Sequence, residues 1–328
     1  MTARVLVIGE VLIDVVRSAD GQVSEHVGGS PANVATGLAR LGHPTDFATT
    51  LGRDAHGSAC LAHLKARHVE VLPSSRTAEP TSVAEATLDA SGAATYRFDL
   101  HWTLAPVPLR SGVVHVHTGS IAATEPPGAD QVLHTLGQAL PDATLSYDPN
   151  VRPSIMGPAE EVRPRIQALI ALADVVKASE DDIAYLYPGR PLEEVLSFWA
   201  QLGAAFTLAT LGGAGVAYRV PATGEVCRAA APDAADPVID TVGAGDSFMA
   251  GLISGLLDAG LVGGPAARAA LRTARRSHLE PAVARALGTS GVTVRHAGAY
   301  SPTRAELPDS ASDPSTDHSP AASAPDLT

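Results

Sequence analysis

Lysine is almost missing from this chain: only Lys65 and Lys177 occur among 328 residues. The rest of the positive charge is arginine, and the formal net charge at pH 7 is -12. A chain this acidic lacks the clustered cations that displace counterions from a phosphate backbone, which argues against nucleic acid as a partner. Any anion must be met by arginine, by backbone N–H groups or by a metal. Cysteine is equally scarce. Cys60 and Cys227 are too few and too far apart for a disulfide framework or a zinc site, and a reducing cytoplasm fits. No apolar run approaches the roughly 20 residues of a membrane span. The stretch "MTARVLVIGEVLIDVV" is interrupted by Glu10 and Asp14 and has no small-residue cleavage site, so it reads as a first strand rather than a signal peptide. Also absent are the pattern G-x-x-x-x-G-K-[ST] and a G-x-G-x-x-G after the first strand, which weakens a P-loop NTPase or a Rossmann dehydrogenase.

What is present is an ordinary globular composition, 45% hydrophobic and 18% charged. Short β-rich runs alternate with helical patterns: "RVLVIGE" then "ANVATGLARLG", "TDFATTLG" then "AHGSACLAHLKARH", "VVHVHTG" then "ADQVLHTLGQAL", and "TLSYDP" then "EEVRPRIQALIAL". That alternation predicts an α/β fold, a doubly wound, mostly parallel sheet flanked by helices, with ligands at the C-terminal ends of the strands. Two regions break the rhythm. "GQVSEHVGG" follows the first strand without a helix, and "TSVAEATLDASGAATYRFDL" alternates with period two around "DASGA". Together, from about residues 11–28 and 82–100, they predict a small β-sheet lid. The main domain is expected over residues 1–304. From 305 to 328 the chain is rich in Ser, Pro, Ala and Asp and reads as a disordered tail.

In "DTVGAGDSFMAG" the small residues Gly243, Ala244 and Gly245 precede Asp246 and an apolar helical pattern. Small residues entering a helix leave its first N–H groups pointing at a ligand, where the helix dipole adds partial positive charge. This is an anion site, and Asp246 beside it is suited to orient an attacking hydroxyl and take its proton late. The bland alternative is a tight turn with an N-terminal helix Asp. A second constellation comes earlier, "GEVLID" followed by "GGSPANVATGLARLG", in which Gly28 and Gly29 permit unusual dihedrals or close approach. Ser30 and Asn33 flank a helix-starting proline.

The two stretches "GGSPANVATGLARLG" and "DTVGAGDSFMAG", in that order, resemble the paired signatures of the ribokinase-like sugar kinases, the phosphofructokinase-B family. The resemblance covers roughly residues 3 to 305. It implies a ribokinase-like fold with Asp246 as catalytic base and Gly243, Ala244 and Gly245 as the anion hole. It also implies that Asp14, Gly28, Gly29 and Asn33 meet sugar hydroxyls. Thr210, Gly212 and Gly215 in "TLATLGGAGV" match the family's nucleotide turn. Where relatives carry Asn-x-x-Glu near the Mg-phosphate site, this chain has Ser179 and Asp182, so the metal's surroundings depart from the pattern.

"DPNVRP", together with the first signature, is most similar to bacterial fructokinases within the family. Asp148 would support the Mg-phosphate region through water, and Arg152 would neutralise transferring phosphate. Arg97 in the lid would reach the substrate unless it is simply an exposed strand residue. His115 and His117 share a strand face but lack a third ligand, which favours packing over metal binding. Asp240 stands where many relatives hold a monovalent cation, leaving potassium open. The resemblance therefore implies a homodimer, expected in the cytoplasm from the cysteine usage, that uses ATP and Mg2+ to phosphorylate a sugar hydroxymethyl group, first of all that of fructose. The alternatives are a 2-keto-3-deoxygluconate kinase, a ribokinase, or a non-catalytic sugar or nucleotide sensor on the same scaffold.

Overall fold

A computed structural model of the chain describes residues 3–18, 20–88, 94–232 and 237–308. In chain order the strands are β1 Arg4–Ile8, β2 Leu12–Arg17, β3 Val23–Gly28, β4 Thr45–Ala48, β5 Val69–Val71, β6 Val83–Leu88, β7 Ala94–Asp99, β8 Val113–Gly119, β9 Thr144–Asp148, β10 Val175–Ser179, β11 Phe206–Thr210, β12 Val216–Arg219 and β13 Val226–Ala229. The helices are α1 Ser30–Arg40, α2 Ala55–Ala66, α3 Gly128–Ala139, α4 Pro153–Met156, α5 Ala159–Leu172, α6 Glu180–Leu186, α7 Leu192–Leu202, α8 Ala244–Asp258, α9 Pro265–Arg272 and α10 Arg276–Thr293.

Nine strands form the large sheet in the order β13-β12-β11-β10-β9-β8-β1-β4-β5. The pairs from β10–β11 across to β4–β5 are parallel, while β11–β12 and β12–β13 are antiparallel, so β12 alone runs against the other strands. Parallel strands need crossovers that cover both faces, so their side chains are buried on both sides. β8, β9 and β10 show this as nearly unbroken buried runs. One apolar cluster packs α1, α8 and α10 on one face, and another packs α3, α5 and α7 on the other. Helix α8 comes close to α10 because Gly251 and Gly255 carry no Cβ. One built there would stand 2.9 Å from the Cα of Ala286 and 2.5 Å from that of Ala282. The strand order reverses between β1 and β8, and a doubly wound sheet opens a ligand crevice at such a switch point.

The lid is the four-stranded sheet β3-β2-β6-β7, with β2–β3 and β6–β7 antiparallel and β2–β6 parallel. The expected "DASGA" turn lies outside the described residues. Two details differ from expectation. "DPVID" reads as a strand, yet residues 237–240 pair with no sheet, and Val238 and Ile239 stand exposed. The amides of Ile239 and Asp240 both turn to the Val294 carbonyl at the end of α10, which takes the backbone that a ladder would need. The packed chain also runs past residue 304: Arg304–Glu306 form a 3-10 turn and Leu307 is buried. From residue 309 onward the expected tail lies outside the described residues. Among those residues, no helix is long and apolar enough to cross a membrane.

Candidate active site

Two helix N-termini converge on one carboxylate. Gly243, at a left-handed φ of 73°, starts α8 and places Asp246 in the first turn, where its side chain is buried. Gly29, with φ of 107°, starts α1. From that helix the Ser30 hydroxyl donates to Asp246 Oδ1 at 2.7 Å, and the Asn33 amide donates to Oδ2 at 2.8 Å. Asn33, expected to meet sugar hydroxyls, is thus also a clamp on Asp246, and its Oδ1 keeps acceptor capacity for a ligand. Ser30 was legible only as a flank of Pro31. Within the expected anion hole, the Ala244 amide turns to the Thr241 carbonyl at 3.2 Å. Gly245 keeps the space beside the turn open, since a Cβ there would sit 3.1 Å from Lys177 Nζ.

Above this point stands the lid. Asp14 on β2 is registered opposite His26 on β3 and Ala84 on β6, so these residues share a face. The two lid glycines are required for different reasons. A Cβ on Gly28 would fall 2.0 Å from Asp14 Oδ2, and one on Gly29 2.6 Å from the Glu10 carbonyl, where φ is already left-handed. Burial pushes the Asp14 carboxyl up, while His26 and Arg152 pull it down. Arg97 is on the wrong side. It pairs with Glu85, which is registered with Val15, so it lies on the face opposite Asp14 and is exposed. Side chains alternate along a strand, so a residue one position off the Asp14 row points away from the cleft.

The C-terminal ends of the parallel strands supply the floor. Gly119 of β8 is registered with Asp148 of β9, and Ser179 of β10 with Thr210 of β11. Asp148 accepts from the buried Lys177 ammonium at 2.8 Å and from the Asn150 amide at 3.2 Å. Burial pushes Asp148 up to about 6 against the pull of Lys177. Burial works against the Lys177 charge too, but Asp148 and the more distant Asp182 and Asp246 leave its pKa raised. Lys177 is a buried cation of the candidate site that the sequence reading missed. The signal was there: a lone lysine inside the apolar strand "VVKAS".

Ser179 and Asp182 form a reciprocal cap on α6. Ser179 accepts from the Asp182 amide, and Asp182 Oδ2 accepts from the Ser179 amide at 2.8 Å. Asp182 Oδ1 accepts the Val151 amide at 2.7 Å and so pins the loop after β9. Arg152 in that loop donates to Asn150 Oδ1 at 2.7 Å and to backbone carbonyls, and its charge reaches Glu10 and Asp14. Thr210 bonds back to the Ala178 carbonyl at 3.4 Å. Beyond it, Gly212–Ala214 make an exposed 3-10 turn closed by Leu211 and Gly215. Asp240 Oδ1 takes the Val242 amide at 3.0 Å and Oδ2 the Gly298 amide at 2.8 Å, and these bonds hold its carboxyl below the usual range.

In the sequence Glu10 shows only as a charge interrupting an apolar run. It is buried at the switch point between β1 and β8 and accepts from the Ala122 amide at 3.2 Å. Burial raises it to about 7, against hydrogen bonds from its own amide, Ser120 and Ala122 and the charge of Arg152. His115 and His117 form a core chain instead of a metal site. His115 bonds Thr144 and Ser146 at 2.8 Å each, and His117 bonds Ser146 at 2.9 Å. Burial lowers both to about 3, so they are neutral. Among the described residues no group of three or more His, Cys, Asp or Glu side chains is placed to hold a metal ion.

The pattern of the pfkB family carbohydrate kinases matches residues 2–306. A fructokinase of Klebsiella pneumoniae is 31% identical over 274 residues, covering 80% of this chain and 87% of that protein. Among solved structures, fructokinase from Xylella fastidiosa with bound ATP is similar at a TM-score of 0.78 and 23% identity, covering 93% of this chain and 97% of that one. A fructokinase double mutant from Vibrio cholerae O395, in a form binding fructose, ADP and potassium ion, gives 0.74 and 23%, with coverage of 93% and 96%.

Proposed function

Since the chain belongs to the pfkB family and is a carbohydrate kinase, we propose that it transfers the γ-phosphoryl group of ATP to the 6-hydroxymethyl oxygen of fructose. The observation that carries this reading is the convergence of α1 and α8 on Asp246 beneath the lid acid Asp14. Sugar hydroxyls enter under the lid, where Asp14 and the second acceptor position of Asn33 hold them. The hydroxymethyl oxygen comes to rest against Asp246. Ser30 and Asn33 are neutral donors, so they orient the carboxylate without cancelling its charge. As the oxygen attacks in line, Asp246 accepts its proton, a contribution typically worth about 10²–10⁴-fold.

The transferring phosphoryl group lies against the first turn of α8. There the amides of Gly245 and Asp246 belong to the turn that has no preceding helical carbonyls, and the Lys177 ammonium stands beside Gly245. Preorganised donors and a fixed cation need no reorganisation when charge develops. Ser179, Thr210 and the turn through Gly212 and Gly215 form the nucleotide side, and Arg152 the solvent-facing cation.

A Mg2+ ion would shield the ATP phosphates here. Asp148 and Asp182 already accept an ammonium and backbone amides, so they fit such an ion through water rather than as direct ligands. Asp240 belongs to the same reading as one wall of a potassium site. Its side chain is committed to two amides, so its contribution would be to fix the loop. A homodimer joined through the lids, with the partly exposed Val16 and Ala86 on the Asp14 face as support, completes the proposal.

Fructose is favoured over an acidic sugar because the lid presents a carboxylate, Asp14, with no hydrogen-bonded cation of its own among the described residues, which pairs with hydroxyls and repels a second anion. The test is ADP release with Mg-ATP across fructose, ribose, 2-keto-3-deoxygluconate, glucose and adenosine. Fastest turnover on fructose is expected. A higher kcat/KM on 2-keto-3-deoxygluconate would overturn the substrate, and sugar binding without turnover would move the reading to a sensor.

A further inference from the structure

At the opposite end of the large sheet from Asp246 lies a cavity of about 260 Å³ that the reaction does not use. Its walls are the last turns of α7, the start of β11, the end of β12 and the end of α9. Two guanidinium groups, Arg219 and Arg272, line it with the polar side chains of Ser197 and Gln201, and no Asp or Glu is among the lining residues. In a chain with 35 acidic and 23 basic residues, a cavity with two arginines and no lining acid is an uneven use of charge.

The arginines are under-used. Arg219 Nε is buried and has no hydrogen-bond partner among the described residues. Arg272 makes one long contact, 3.4 Å, to the Gly203 carbonyl. With Nε closed off from solvent, an anion in the cavity would be met by the terminal Nη groups of Arg219 and by the exposed guanidinium of Arg272. The C-terminus of α7 opposes an anion here, but its dipole is equivalent to roughly half a charge against two full positive charges. Guanidinium forks match phosphate and carboxylate geometry, and two of them favour the doubly charged phosphate group. The volume falls below the ~300–1,000 Å³ of pockets for drug-sized ligands, which suits a small phosphate monoester rather than a nucleotide.

We propose that Arg219 and Arg272 form a second anion site, separate from the catalytic cleft, that binds a small phosphate-bearing metabolite. The site sits at the start of β11, whose far end carries Thr210.

Inorganic phosphate is the probe. Its affinity is measured by calorimetry on the full chain, with the cleft filled by fructose and a non-hydrolysable ATP analogue, in wild type, Arg219→Met and Arg272→Ala. The expected result is at least a tenfold loss of phosphate affinity in each variant, with fructose turnover within twofold of wild type. Arg219→Met keeps the buried volume. Should it fail to fold, the exposed Arg272→Ala decides alone. Phosphate binding equal to wild type in the folded variants, or no phosphate binding by wild type, overturns the proposal.

Discussion

Asp246 and Asp148 are both buried carboxylates in one cleft, and their partners differ in kind. Asp246 is held by a hydroxyl and an amide. Asp148 is held by a buried ammonium and a backbone amide. Neutral donors fix direction and leave the charge available to an incoming hydroxyl. An ion pair consumes most of the charge and fixes position instead. The contrast separates the two tasks that the proposed function gives to one residue type within the cleft: moving a proton, and anchoring a cation next to the phosphate path.

The comparison can be broken from the Asp148 side. Lys177→Met leaves Asp148 buried without its partner, and removing one member of a buried pair costs about 3–5 kcal/mol. Urea unfolding should show a loss of that order. Adding Asp148→Asn should recover much of the stability, since an apolar or neutral pair avoids the uncompensated charge, but turnover should stay low because the cation beside Gly245 is still missing. Full recovery of turnover in the double variant would show that Lys177 has only a structural role.

Glu10 sharpens the comparison, because it is a third buried acid with neither kind of full compensation. Its pKa in the folded chain, about 7, lies above its ordinary value of 4.5. Between these values the folded state binds more protons than the unfolded one, so this group's contribution to stability is complete below about pH 4.5 and is lost as pH rises through 7. Glu10→Gln removes that slope. Relative to wild type, the variant should gain stability from pH 5 to pH 8, by about 1–3 kcal/mol, as read by thermal unfolding across that range. The smallest effect is expected at Arg97. Because it lies on the lid face away from Asp14, Arg97→Ala should change the sugar KM by less than about twofold.

Local sequence revealed the helix-start carboxylate, because Gly243 to Gly245 and Asp246 are contiguous and a helix N-terminus is built from consecutive residues. It also revealed the strand–helix alternation and the two lid regions. Lys177 was hidden for a physical reason: its partner is 29 positions away on the neighbouring strand, and only the β9–β10 pairing brings them together. The clamp of Ser30 and Asn33 on Asp246 spans more than 200 residues and depends on how α1 and α8 pack. Arg97 was misplaced because alternation within β7 gives two faces without saying which one meets Asp14. That parity is set by the register through β6. "DPVID" carried β-branched residues but had no strand to pair with, and tertiary context overrode its propensity.

The most direct test of the account is Asp246→Asn, which keeps the shape that Ser30 and Asn33 hold and removes the proton acceptor. Fructose affinity and the rate of the phosphoryl-transfer step would be measured side by side, the latter in a single turnover with Mg-ATP. The account predicts fructose binding within about threefold of wild type and a transfer step slowed about 10²–10⁴-fold. A transfer step within tenfold of wild type, with binding intact, would contradict it.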